Sequence, residues 1–290
     1  MARLALLLSL VLAACAPAPA TLEPEPLALH VWPSQGPTRA VILALHGYGD
    51  TADLGFDDAA RTWSARGITV YAPDQRGFGA NPSFRQWPGV DALVGDAVAL
   101  SHQVRARHPG LPLVVVGHSM GGGIALAAAA DGLDADALVL AGPAIAGGPV
   151  LNPLLRATAR SAATLLPEKR WTGRGLIAIR PTDNPAALAR AAADPLHFGD
   201  PTSCELYGLV QVMDRAAAAA PAVDLPTLTL MGAHDEVLRP DSVRAVQATI
   251  AGDPAFILYP DGWHWLFRDL QAPRVWNDVA DFVLSATRQP

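Results

Sequence analysis

Cysteine is nearly absent from this 290-residue chain, which has only Cys15 and Cys204. So few exclude a disulfide-stapled scaffold and a cysteine-rich zinc fold. Lysine is scarcer still: of 21 basic residues only Lys169 is a lysine, so lysine-based covalent chemistry has one position available. Charged residues make up 17% of the chain against 51% hydrophobic residues, the opposite of a disordered composition. Glycine does not recur at every third position, which excludes a collagen-like rod. No basic tract offsets the formal net charge of −6, so nucleic acid is not an expected partner. The sequence has no internal repeat, no charge run, no H-E-x-x-H and no paired His/Cys spacing. No metal or other cofactor is therefore expected.

What is present begins with a leader. Residues 1–14 pair one basic residue, Arg3, with an apolar run from Leu4 to Ala14. As a helix that run spans about 16 Å, too short for a bilayer core of about 30 Å, so the pattern is that of an export signal. Leu12-Ala13-Ala14-Cys15 resembles the lipobox of bacterial lipoproteins. That resemblance implies cleavage before Cys15, acylation of its sulfur and a membrane anchor. Ala16 follows where an inner-membrane protein usually carries Asp, which implies the outer membrane, facing the periplasm. Residues 15–26 continue as a proline-rich tether. Once Cys15 is acylated, no intramolecular disulfide remains possible, and Cys204 is expected to be a small buried apolar residue.

Beyond residue 26, short apolar runs alternate with longer helical stretches. Runs 41–45, 68–72, 113–117, 137–141, 227–232 and 255–259 show little polar alternation, as expected of parallel strands covered on both faces. Residues 27–32 read as an antiparallel edge strand. Segments 53–66, 90–108, 121–131, 242–250 and 273–286 read as helices. The fold class is α/β, a mostly parallel central sheet flanked by helices. The rhythm breaks over 143–222, with helical patterns and one weak strand candidate at 175–179. That stretch is too long for a crossover and reads as a cap inserted into a core made of 27–142 and 223–290.

The chemistry concentrates in Val114-Val115-Val116-Gly117-His118-Ser119-Met120-Gly121-Gly122-Gly123. An apolar strand runs into G-x-S-x-G and then an Ala-rich helix, the context a nucleophile elbow requires. A neutral hydroxyl is a weak nucleophile and needs a base. His264, just past the last strand run, is the candidate, because open α/β sheets collect their sites at strand C-terminal ends. His234 is its nearest rival, but it adjoins the acid candidate. His30, His102, His108 and His197 read as surface or structural. Asp235, three residues past the closing Gly232 of another strand, is the candidate acid. Asp241, after Pro240, reads as a helix N-cap. Two backbone N–H groups would receive the developing oxyanion, those of Met120 and of Tyr48 in Leu45-His46-Gly47-Tyr48-Gly49-Asp50. Trp263 and Trp265, with Leu266 and Phe267, are candidates for an acyl pocket or for ordinary core.

Together, His46-Gly47-Tyr48-Gly49, Gly117-His118-Ser119-Met120-Gly121-Gly122, Asp235 and His264 resemble the α/β-hydrolase superfamily. Within it the resemblance is to the monoacylglycerol lipase, lysophospholipase and serine aminopeptidase-like branch. Ala72-Pro73-Asp74-Gln75-Arg76-Gly77-Phe78-Gly79 matches a loop of that branch, and the match covers most of 38–286. Asp50 stands where the family often has Glu, and the cap matches no familiar pattern. The resemblance implies a serine hydrolase acting on carboxylic esters, lipid-derived and of the monoacylglycerol or lysophospholipid type, through an acyl-enzyme on Ser119. A peptidase or acyltransferase on the same fold is the alternative. An aminopeptidase would need a cap carboxylate for the substrate amine, and Glu168, Asp183, Asp194 and Glu205 are available. An inactive binding lipoprotein is a further alternative, opposed by the intact triad.

Overall fold

The computed structural model describes residues 26–172 and 179–285. The leader, Cys15, almost all of the tether and residues 175–178 of the weak strand candidate lie outside them. Seven strands form one sheet: β1 (Leu29–Trp32), β2 (Ala40–Leu45), β3 (Ile68–Pro73), β4 (Leu113–His118), β5 (Ala137–Ala141), β6 (Thr227–Gly232) and β7 (Pro254–Tyr259). Their order is β1-β3-β2-β4-β5-β6-β7. β1 pairs antiparallel with β3, and every other pairing is parallel.

The missing polar alternation has a simple cause. Side chains of one strand point alternately to two sides, and here both sides are core. Val41, Leu43, Leu45, Val115, Leu138 and Leu140 enter one cluster. Ile42, Ala44, Val114, Val116, Val139 and Ala141 enter the other. Helices α1 (Ala52–Ala65) and α8 (Ala272–Ser285) cover the second cluster. Helices α2 (Val90–Arg107), α3 (Met120–Ala129) and α7 (Pro240–Gln247) cover the first. β7 departs from the expectation of two buried faces. It is an edge strand, and Ala255 and Leu258 are exposed.

Between β5 and β6 lie α4 (Pro153–Leu165), α5 (Pro185–Ala193) and α6 (Ser203–Ala219). α6 packs on both α3 and α4. Its C-terminal half, with Val212 and Ala216, joins the core, so this helix is at once cap wall and crossover into β6. Thr202 caps it through a reciprocal box with Glu205. Cys204, near its start, is half-buried, which corrects the expectation of a fully buried residue. Asp241 is likewise corrected. Arg239 is the cap of α7, Pro240 takes the first helical position, where its missing N–H leaves nothing unsatisfied, and Asp241 falls in the first turn.

Candidate active site

β2 and β4 are neighbours, yet β2 leads into α1 on one face of the sheet and β4 into α3 on the other. The loops part above their C-terminal ends and leave a crevice at this switch point. Ser119 stands in it. Its backbone has φ +53° and ψ −116°, a conformation unfavourable for a side-chain-bearing residue and imposed by the turn. The flanking glycines have no room for a side chain. A methyl at Gly117 would lie 2.4 Å from the Gly121 carbonyl oxygen, and one at Gly121 would lie 2.1 Å from that of Leu45.

The structure brings the three candidate catalytic residues into one relay. His264 Nε2 is 3.0 Å from Ser119 Oγ, and His264 Nδ1 is 2.8 Å from Asp235 Oδ2. The other Asp235 oxygen accepts the amides of Val237 and Leu238, each at 2.8 Å. The carboxylate is thereby aimed with one oxygen left for the imidazole. A carboxylate on Nδ1–H keeps Nε2 as the basic nitrogen facing the hydroxyl. His264 and Asp235 are buried, which strengthens this polarity.

A second histidine braces the first. His118 is buried, and burial, reinforced by the facing His264, lowers its pKa to about 3. It is therefore neutral, and its Nε2–H donates to the His264 carbonyl at 3.0 Å. The turn after β2 abuts the nucleophile: a methyl at Gly47 would lie 3.2 Å from Ser119 Cβ. His46 anchors this turn. Its Nδ1–H donates to the Gly47 carbonyl at 2.7 Å, and its Nε2 accepts the Gln75 amide at 2.9 Å. Met120 opens α3, so its amide belongs to the first turn, where no helical carbonyl precedes it. Tyr48, in that turn, and Met120, next to Ser119, bring backbone from two loops beside the nucleophile.

Above the relay lies a cleft of about 820 Å³ between α4, α6 and the β7–α8 loop. Leu155, Ala159 and Ala162 line one wall, and Leu206, Leu209 and Met213 the other. Trp265 lines it as expected, but Trp263 does not. The Trp263 ring stacks on His234 with centroids 5.4 Å apart and takes the Arg180 guanidinium at 4.7 Å. Leu266 and Phe267 are core. None of Glu168, Asp183, Asp194 and Glu205 lines the cleft. Asp194 and Glu205 accept nearby backbone amides, Asp183 accepts that of Leu270, and Glu168 is exposed.

The cleft residues Asp50 and His197, and Arg268 behind Asp50, take roles that the sequence pattern does not assign. Asp50 is held by both terminal nitrogens of Arg268, at 3.2 and 2.5 Å, and Arg268 lies over Trp265 at 4.0 Å. His197, read from sequence as surface or structural, lines the cleft with a buried Nδ1 that no hydrogen bond reaches. Burial lowers its pKa. Asp50 and Arg268 are 218 positions apart, and only a G-x-G-D signal pointed at the first. Among the described residues no cluster of His, Cys, Asp and Glu could hold a metal ion.

A monoacylglycerol lipase of Mycolicibacterium smegmatis is 32% identical over 263 residues, covering 88% of this chain and 91% of that protein. The human monoglyceride lipase is 26% identical, covering 86% and 82%. A crystal structure of a soluble variant of the Saccharomyces cerevisiae monoglyceride lipase, with a substrate analogue, superimposes with a TM-score of 0.77 at 22% identity, covering 94% of this chain and all of that one. A monoacylglycerol lipase structure from Paleococcus ferrophilus gives 0.76 at 22% identity, covering 90% and 99%. The model of one family matches residues 36–271, from the turn before β2 to the start of α8. The chain, an α/β-hydrolase by fold, belongs to that family, described as serine aminopeptidase, S33.

Proposed function

We propose that this protein is a serine hydrolase of carboxylic esters, with monoacylglycerols as its substrate class. The observation that carries the reading is the Ser119–His264–Asp235 relay at the floor of an apolar cleft. Ser119 Oγ attacks the ester carbonyl while His264 Nε2 takes its proton. The Tyr48 and Met120 amides stabilise the tetrahedral oxyanion. His264 then protonates the departing alcohol, and water, deprotonated by the same nitrogen, releases the acid. The M. smegmatis and human relatives, named for monoacylglycerol and monoglyceride hydrolysis, support the substrate class.

The lining of the cleft separates the alternatives. An aminopeptidase must neutralise a substrate ammonium, but Asp50, the one carboxylate among the described lining residues, is already paired with Arg268. A lysophospholipid brings a phosphate, and no unpaired cation lines the cleft among the described residues. A neutral glycerol head group fits this balance. Purified protein should hydrolyse monoacylglycerols with a kcat/KM at least about tenfold above lysophospholipids and amino-acid amides. Ser119→Ala should lower all hydrolysis by at least about 10³-fold. Activity that survives Ser119→Ala, or a preference for amides, overturns the reading.

We further infer that the chain is exported and anchored in the bacterial envelope through acylated Cys15, in the outer membrane facing the periplasm. Arg3, the apolar run 4–14 and the L-A-A-C match support this. Cys15→Ser should release the protein from membranes. A Cys15→Ser protein still in membranes excludes the anchor.

A further inference from the structure

The cap meets the turn after β2 at a point outside the cleft. Phe198, between α5 and α6, donates its amide to the Gly49 carbonyl at 2.9 Å. Gly49 has φ +69°, and a methyl there would fall 1.9 Å from the Phe198 carbonyl oxygen. The two backbones touch, so the turn carrying Tyr48 moves only with residue 198. The Phe198 ring is enclosed: Phe78 stacks on it at 5.7 Å, and Tyr48 and Phe84 meet it edge-on at 5.4 and 5.7 Å.

Arg85 closes this box. Its Cζ sits 4.5 Å from the Phe198 ring centroid, and its Nη2 reaches Asp200 Oδ1 at 2.5 Å. Its own backbone has φ +61°; among the described residues the other non-glycine position with positive φ is Ser119. The Arg85 amide is held by the Gly77 carbonyl at 2.8 Å, so the loop after β3 imposes the conformation that swings the side chain onto the cap. Backbone held in an unfavourable region marks a place whose surroundings over-determine it. Arg85 does not line the cleft.

We propose that Arg85 is a positioning residue: by clasping Phe198 and Asp200 it latches cap segment 197–200 onto the turn after β2 and so fixes the Tyr48 amide relative to Ser119. The proposal rests on the reading of the Tyr48 and Met120 amides as oxyanion donors. Such donors act only when they are already aimed at the position the oxyanion will occupy, and small displacements are costly in rate. The latch acts on kcat through that geometry, without touching substrate.

The test uses Arg85→Ala, Arg85→Lys, Asp200→Asn and the double variant Arg85→Ala/Asp200→Asn of the full chain. Hydrolysis of p-nitrophenyl butyrate, thermal midpoint and inhibition by butaneboronic acid, which forms a tetrahedral adduct on the serine, are measured. Arg85→Ala and Asp200→Asn should each lower kcat about tenfold with KM within about twofold. The inhibition constant for the boronic acid should rise in the same proportion. The double variant should be no worse than the more affected single one, and Arg85→Lys should fall between parent and Arg85→Ala. Unchanged kcat and boronate affinity, whatever the midpoint, would overturn the latch and leave a plain structural ion pair. A change in KM alone would also overturn it. If Arg85→Ala does not fold, Asp200→Asn carries the test, since it keeps the shape and removes the charge. Hydrolysis by the parent that survives Ser119→Ala points instead to failure of the underlying functional reading.

Discussion

Each residue at the relay has one task, and its neighbours enforce it. Asp235 spends one oxygen on two amides and one on His264. Asp235→Asn would keep that shape but present an amide that favours the wrong imidazole tautomer. Its kcat should fall about 10⁴-fold with little change in fold, checked by kinetics beside circular dichroism. Ala159 is a different kind of residue, contributing to the cleft by its small size. Ala159→Trp should obstruct the far part of an acyl chain and leave the ester carbonyl free. The ratio of kcat/KM for hexadecanoyl over butanoyl esters should drop at least about tenfold. Rates on an ester series decide it; an unchanged ratio would show that the acyl chain runs elsewhere.

The strand–turn–helix of β4 and α3 shows how an element is specified by what it omits. Gly117, Gly121 and Gly122 leave space that backbone atoms of the turn itself, the neighbouring strand or Pro143 occupy. Gly121→Ala sets a methyl against two carbonyl oxygens, those of Leu45 and His46. Neither can retreat without shifting β2 and the turn after it. A loss of about 3 kcal/mol is expected, measured by urea unfolding, together with a drop in activity. This element was legible in the sequence because its signals are local: an apolar run, a glycine frame and a helix within about a dozen residues. The cap was not. Its helices α4 to α6 declare themselves as helical, but which faces meet Ser119 depends on contacts with α3 and the β7–α8 loop, far away in the chain. Trp263 illustrates the limit. It is two positions from Trp265, yet the turn sends one ring to the surface of the site and the other into the cleft.

At the scale of the whole molecule, the loop that follows His264 ties stability to pH. Asp269 is buried, and burial pushes its carboxyl up to about 7, although the amides of Trp263 and Gln271 donate to it. Between about pH 4 and pH 7 the folded protein therefore holds a proton that the unfolded chain releases. The contribution of Asp269 to stability falls as pH rises through that window, by no more than about 4 kcal/mol, and opposes that of the buried neutral His118, which grows as pH rises from about 3 to 6.5. Asp269→Asn should remove this contribution and make the slope of stability against pH more positive than in the parent, as read from urea unfolding at pH 4.5, 5.5 and 7. An equal slope in parent and variant would place the titration elsewhere.

Local chemistry settled more here than composition did. Residue order alone specified the alternation of strand and helix, the elbow around Ser119, and the placement of Asp235 and His264 after successive strands. Those features are written in periodicity and in glycine positions, which depend on neighbours a few residues away. The tertiary structure decided the rest: that Arg268 neutralises Asp50 within the cleft, that His197 lines it, that α6 serves both cap and core, and that Arg85 reaches across to Phe198 and Asp200. Asp50 and Arg268 are 218 positions apart, and Arg85 and Asp200 are 115 apart. Such pairings follow from how the sheet twists and the cap settles, and no periodicity along the chain encodes them.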